Sequence, residues 1–247
     1  MQNFLNSMAQ WLHSLGLHPD REVLAPLGQA AGQAVDKFGQ VAGGMDLSGL
    51  LALAAALGWA SGFRLYAVVF VVGLLGATGM VALPGGLHVL AHPVLLFASG
   101  GLLCVEFFAD KIPGVDSVWD VLHSVIRVPA GAALAAGVFG ADSATMATLA
   151  ALMGGTLALS SQVAKTTARA VINTSPEPLS NVGASLVEDG AAVGALWLAL
   201  ANPAVFAVVL VIVLIAMWVL TWMLWRFLAS AVRRLRGWLG GGSAARL

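Results

Sequence analysis

Charge is what this sequence has least of. Only 10% of its 247 residues are Asp, Glu, Lys or Arg while 59% are hydrophobic, against about a quarter charged in an ordinary soluble domain. A soluble fold has no interior large enough for that apolar share, so the composition predicts an integral membrane protein. The 12 basic and 12 acidic residues cancel to a formal net charge of zero. That excludes the strongly basic field which sequence-independent nucleic-acid binding requires. With a single cysteine, Cys104, no intrachain disulfide can form. Its apolar surroundings predict a packed side chain and not a ligand or nucleophile. No HxxxH, CxxC or HExxH spacing is present, so a tight structural zinc site is not expected. Neither a Walker loop, a dinucleotide-binding turn nor a GxSxG elbow occurs in a suitable context. No cofactor and no enzymatic activity are expected. The first 20 residues lack Lys, Arg and an unbroken apolar core, so no signal peptide is expected either.

What the chain does contain is apolar runs. A spanning helix needs about 20 apolar residues to cross a hydrocarbon core of roughly 30 Å. Candidate runs lie at 47–60, 65–81, 92–110, 118–140, 144–164, 182–201 and 203–225. They predict an all-α polytopic bundle of seven passes with Pro- and Gly-broken helices. The weakest member is 47–60, which stops at Ser61, Gly62 and Arg64. If it is a half-span or re-entrant piece, six passes remain.

The chain divides into a transmembrane domain at 46–225 with a flanking region on each side. Residues 1–45 carry Phe4, Leu5, Met8, Trp11, Leu12 and Leu15 at helical spacing, which predicts an amphipathic helix at the membrane interface or against a partner. Residues 226–247 form a basic tail.

Positive charge sets the orientation, because cytoplasmic loops are enriched in Lys and Arg. Arg226, Arg233, Arg234 and Arg236 place the C-terminus inside. Counting back through alternating passes puts Lys165 and Arg169, Lys111 and Arg127, and Arg64 on the same side. The opposite turns, at Pro84–His88, Asp142 and Asn202, contain no Lys or Arg. A bacterial inner membrane is the expected location. Trp218, Trp222, Trp225 and Trp238 near the tail read as an interfacial belt.

Two charged hairpins interrupt this apolar background. In the first, Glu106 and Asp110 share a face at the end of one helix. Beyond Pro113 and Gly114, the residues Asp116, Asp120, His123 and Arg127 recur at steps of four, three and four on the next. In the second, Ser161, Lys165 and Arg169 recur at steps of four, followed by Asn173, a turn around Glu177, and then Asn181, Ser185, Glu188 and Asp189. Charges at the centre of a spanning helix cost about 2.5–3.5 kcal/mol each on insertion scales, so they face a bundle interior or water. The functional reading is a cation, proton or small-solute site. The competing one is a set of solvated or locally paired charges, with Asp120 on Arg127 and Lys111 on its acidic neighbours. For Glu188 and Asp189, the competing reading is a helix starting at Gly190 with both acids in its first turn. Pro129 and Gly131 after Arg127 predict a loosened helix or a packing kink.

Gly100–Lys111 and Gly154–Lys165 also echo one another at an offset of 54, the kind of internal repeat found in transporters.

At SGFRLYAVVFVVGLLG, EFFADKIPGVDSVWD, IRVPAGA and NTSPEPLSNVGASLVEDGAA, the chain resembles the integral membrane family catalogued as domain of unknown function 4126, over about residues 47–222. The resemblance implies that Arg64, Glu106, Asp110, Lys111, Pro113, Asp116, Asp120, Arg127, Asn181, Glu188 and Asp189 fall on the family's polar motif positions. It implies no activity.

The resulting expectation is a small transporter or channel. Asp110, Asp116, Asp120, Glu188 and Asp189 would contact the ion, and Lys111, Arg127, Lys165 and Arg169 would balance them. The alternatives are a membrane scaffold or assembly factor, and a protein that handles lipid headgroups through Arg64 and Arg127. The expected partners are the bilayer, an ion or small solute, and a second copy of the chain meeting at Gly73 and Gly76.

Overall fold

The computed structural model describes residues 45–112, 114–141, 143–174 and 178–240. The amphipathic segment expected within 1–45 lies outside these apart from Met45, as do Pro113, Asp142 and the turn at Glu177. The described residues are helical, with no strand among them: α1 (Leu47–Ala77), a 3₁₀ helix (Gly85–Ala91), α2 (Pro93–Ala109), α3 (Val115–Gly137), α4 (Ala144–Ile172), α5 (Pro178–Ala201) and α6 (Pro203–Gly240).

Helix starts follow local chemistry. Asp46 caps α1 by accepting the Gly49 amide at 2.9 Å, and the Ser48 hydroxyl donates to the same oxygen at 2.8 Å. Those bonds hold the Asp46 carboxyl below its ordinary pKa, the Gly49 amide contributing most. Pro93 follows the capping His92, and the Asn202 side chain accepts the Val205 amide at 3.3 Å just ahead of Pro203 in α6. Each satisfies an amide that a helix start leaves without an intrahelical partner.

The path of α1 is the main departure from a simple reading. The two expected runs 47–60 and 65–81 are one continuous helical element, broken at Arg64 by non-helical dihedrals (φ −141°, ψ 66°). Packing shows that the chain turns back there. Before the break, Gly58 lies against Gly154 and Gly62 against Ala158 and Ser161, so this arm runs parallel to α4 toward Lys165. After the break, Tyr66 meets His123, Phe70 meets Gly100, Gly73 meets Leu90, and Gly76 meets Leu83 and Ala91. The 3₁₀ segment in turn touches Gly137 and Gly140, at the far end of α3. The second arm therefore returns to the end from which the first set out.

The same sense repeats in α2–α3 and α4–α5. Three hairpins thus turn at one end of the bundle, at Arg64, between α2 and α3 and between α4 and α5, before α6 descends. Gly114 adopts φ +86° in the second turn, a conformation that a Cβ disfavours. Close approach of the first α1 arm, α3 and α4 depends on Gly58, Gly131 and Gly154, where a Cβ would strike Gly154 Cα, Ser61 Oγ and Ala135 Cβ respectively. Gly131 therefore marks a packing contact, and α3 runs unbroken through Pro129.

By length and composition, with α1 counted as a single helix, four helices can cross a membrane: α1, α4, α5 from Leu179, and α6 as far as Ser230. A fifth is reached if the 3₁₀ helix and α2, bent by 72°, count as one span. Two boundaries move. The last span has no break at residue 225 and continues as helix to Gly240. The span expected from residue 182 starts at Pro178, which sets Glu188 and Asp189 well inside α5 and removes the first-turn reading. Gly73 and Gly76, offered as an oligomer face, are covered by Leu90, Leu83 and Ala91 of the same chain. Cys104 is exposed on the bundle surface and not packed, because α2 turns that side away from its neighbours.

Candidate functional site

The ends of the three hairpins converge, and they carry the charged residues with them. Four cations are buried there: Arg64, Arg127, Lys165 and Arg169. So are the acids Glu106, Asp110, Asp116, Asp120 and Glu188, while Asp189 is 37% exposed.

Arg64, at the break in α1, pairs with Asp110, with Asp189 at 2.8 Å, and with Glu188 at 3.7 Å. It also donates to the Ser185 hydroxyl and carbonyl. Arg127 on α3 reaches Glu106 on α2 at 2.5 Å, Asp120 one helical repeat back at 2.7 Å, and Gln162 on α4 at 2.9 Å. Arg169 donates to Glu188 at 3.1 Å and to Asn181 and the Asp110 carbonyl at 3.1–3.2 Å. The expected pairing of Asp120 with Arg127 is present, and it is part of a network that joins five helices.

Lys165 occupies the middle. Its Nζ lies 3.1 Å from Asp120 Oδ1, 3.2 Å from Glu188 Oε2 and 3.5 Å from Asp110 Oδ2. It donates to the carbonyl of Phe63, the residue before the break, at 3.2 Å. One ammonium thus ties α1, the end of α2, α3 and α5 together.

Asp116 serves a different purpose. Its carboxylate accepts from the Gly114 and Ser117 amides at 2.8 and 2.7 Å, and from Asn173 at 2.8 and 3.0 Å. Asn181 in turn donates to Asn173 at 3.0 Å. Asp116 therefore fastens two hairpin turns to each other, with Arg169 farther off at 3.8 Å.

Lys111 is the one member of the expected set that the fold does not bring in. It folds back on its own helix, with Nζ 3.0 Å from the Phe107 carbonyl and over the Phe107 ring. Partial burial, followed by the charge of Arg64, lowers its pKa below the ordinary lysine value. Its proposed match in the internal echo, Lys165, is buried at the centre of the network, so the two lysines do different work. His123 stacks on Trp119 and meets Tyr66 edge-on, away from the ion pairs.

The charges do not balance. Five buried acids and the part-exposed Asp189 face four buried bases, and three buried carboxylate oxygens, Glu106 Oε2, Asp110 Oδ1 and Asp120 Oδ2, have neither a hydrogen bond nor an ion pair among the described residues. A buried anion without a partner is strongly disfavoured. Among the described residues no group of three or more His, Cys, Asp or Glu is arranged to hold a metal ion. Sequence reasoning missed Gln162 and the Phe63 carbonyl. Gln162 was open to discovery, since it sits one turn before Lys165's neighbour Thr166 on a helix that is otherwise apolar or small on that side. A cavity of about 210 Å³ lies near the network, lined by Trp59, Gly194, Leu198, Phe206 and Leu210 among others, all of them apolar or glycine. It includes none of the charged residues.

No curated protein and no solved structure matches the chain. The family model described as Domain of unknown function (DUF4126) matches residues 51–223, more than half of the sequence and every residue of the charged network. The chain is a member of the DUF4126 family.

Proposed function

We propose that the protein is a small membrane transporter or channel whose ion site is the network at the hairpin ends. A single observation supports this reading: one more acid than base is enclosed where three helix pairs turn, with a second excess acid, Asp189, at its edge and carboxylate oxygens left unpartnered. Burying such an excess costs stability at every position. A fold that only needed the hairpins clamped would do better with equal numbers. The break at Arg64 supports the reading, because interrupted helices carry the ion sites of many transporters. Lys165 and Glu188 belong to helices long and apolar enough to span a bilayer. In this reading the network lies at membrane depth, on the side that Arg226, Arg233, Arg234 and Arg236 toward the end of α6 mark as cytoplasmic. With the reversal at Arg64 counted, the chain makes seven passes, in a bacterial inner membrane.

The site acids are Glu106, Asp110, Asp120, Glu188 and Asp189, with Asp189 as the member open to the outside. Arg64, Arg127, Lys165 and Arg169 hold them in place, and Asp116 and Asn181 brace the turns. The test is purified protein in liposomes with an imposed ion or pH gradient. Wild type is expected to dissipate the gradient, Glu106→Gln and Asp120→Asn to lose at least tenfold in rate, and Asp116→Asn to retain most of it. Equal rates in wild type, Glu106→Gln and empty liposomes would reject the proposal.

A second reading is a scaffold held together by the same ion pairs. It is favoured by the direct pairing of every buried cation. It predicts no flux and a loss of folded protein in the same variants.

A further inference from the structure

The cavity between α1, α5 and α6 is walled by apolar side chains and glycine, among them Gly194 and Leu198 on α5 and Phe206, Val209 and Leu210 on α6. The one polar side-chain group in its lining is the indole N–H of Trp59 on α1. Trp59 is only 6% exposed, and its Nε1 has no hydrogen-bond partner among the described residues. A buried tryptophan N–H ordinarily finds an acceptor. Water does not supply one here, because a trapped water needs two to four polar partners and these walls offer a single side-chain donor. The acceptor has to arrive on a molecule that is otherwise apolar.

The shape says from which side it arrives. Gly194 and Val209 are exposed at the rim, while Trp59 and Phe206 are buried at the floor, so the cavity is a groove that opens outward between α5 and α6. A Cβ built on Gly194 meets nothing within 4 Å. Glycine is among the least favourable residues inside a helix, and here its missing side chain keeps the groove open. All three walls belong to helices long and apolar enough to cross a membrane.

We propose that this groove holds one acyl chain of an ester-linked bilayer lipid, with the ester carbonyl accepting the Trp59 indole N–H. The levels of the residues fit that orientation. Trp59 stands about 7.5 Å along α1 from Arg64, and Gly194 and Leu198 stand about 9 and 15 Å along α5 from Glu188. The donor is therefore nearer the charged end of the bundle, and the chain runs away from it toward Leu198 and Phe206. Phe63, one turn beyond Trp59, meets the indole edge-on at 5.0 Å and fixes its position. The site is separate from the charged network and stands whether or not that network moves ions.

The experiment reconstitutes the full-length protein in phosphatidylethanolamine and phosphatidylglycerol vesicles containing a trace of phosphatidylcholine that carries a diazirine midway along one acyl chain. After illumination, mass spectrometry locates the adducts. Wild type is expected to be labelled at Leu198 and Phe206, inside the groove, as well as at the exposed Val208 and Ile212. Gly194→Leu fills the groove and should lose the inner adducts while keeping the outer ones. Trp59→Phe removes only the donor and should reduce the inner adducts by about two- to tenfold, the worth of one hydrogen bond. An ether-linked analogue of the probe, which lacks the carbonyl, should show the same reduction on wild type and needs no variant to fold. Labelling confined to Val208 and Ile212 would mean ordinary surrounding lipid only and overturns the proposal. Inner labelling indifferent to Trp59→Phe and to the ether probe overturns it too, as does a dimer on elution whose groove residues are protected, which would put a second copy of the chain there.

Discussion

Replacing Arg127 by methionine removes a fully enclosed cation of the network while keeping most of its aliphatic length. The wild-type guanidinium holds Glu106 at 2.5 Å, Asp120 at 2.7 Å and Gln162 at 2.9 Å, all without exposure to solvent. Breaking a buried pair by deleting one partner costs about 3–5 kcal/mol, chiefly because the remaining charge is stranded. Here two carboxylates lose a partner. Asp120 retains Lys165 at 3.1 Å, whereas Glu106 has no other cation among its ion pairs, so most of the cost falls on Glu106. At about 1.4 kcal/mol per tenfold, the ratio of folded to unfolded protein should shift by about two to three and a half orders of magnitude. Adding Glu106→Gln removes the stranded charge and should recover part of the loss. The coupling between the two substitutions is then about 0.5–3 kcal/mol, the range for residues in direct contact. Reversible unfolding in mixed micelles, followed by tryptophan fluorescence for the four members of the cycle, measures this. Additive effects, or an Arg127→Met protein as stable as wild type, would refute the claim that the pair is enclosed.

Gly154→Ala drives a Cβ into Ala135 and the Gly131 carbonyl and should lower stability by about 1–3 kcal/mol. Gly101→Ala meets nothing and should be neutral or slightly stabilising, and melting temperatures in detergent compare the two. The depressed Asp46 carboxyl stabilises the start of α1 above its unfolded value of 3.8, and this contribution is lost as pH falls through the lower folded value. Amide exchange at Ser48–Leu50 should therefore quicken in acid, and Asp46→Ala should abolish that pH dependence. Cys104, exposed on α2, should be labelled by a membrane-permeant maleimide in the folded protein in detergent, whereas a packed thiol would react only after denaturation, as mass spectrometry can record.

The positions of the polar residues were legible in the sequence because hydrocarbon leaves so few places for them. Steps of three and four put Glu106 with Asp110, Asp120 with Arg127 and Lys165 with Arg169 on common faces, and those faces do meet. Partner choice was not legible. Which of two lysines enters the network depends on how α2 and α4 rotate about their axes, and Lys111 and Lys165 look alike in a local echo. The break at Arg64 was visible as Ser61 and Gly62 before a charge, but the reversal of direction there is set by glycine contacts with α4 and the 3₁₀ helix. Cys104 was misread for a related reason. In a bilayer an apolar neighbourhood in sequence describes lipid-facing and interior positions equally well.

The central claim is that the enclosed acid excess is neutralised by protons or cations drawn from solution. Infrared spectroscopy of the protein in lipid, at neutral pH and in choline as the only cation, tests it most directly through the carbonyl stretch of a protonated carboxylic acid. The account predicts such a band, shielded from rapid deuterium exchange, diminished in Glu106→Gln and altered when potassium or sodium replaces choline. A spectrum containing only ionised carboxylates, unchanged by that substitution and indifferent to the cation, would contradict it.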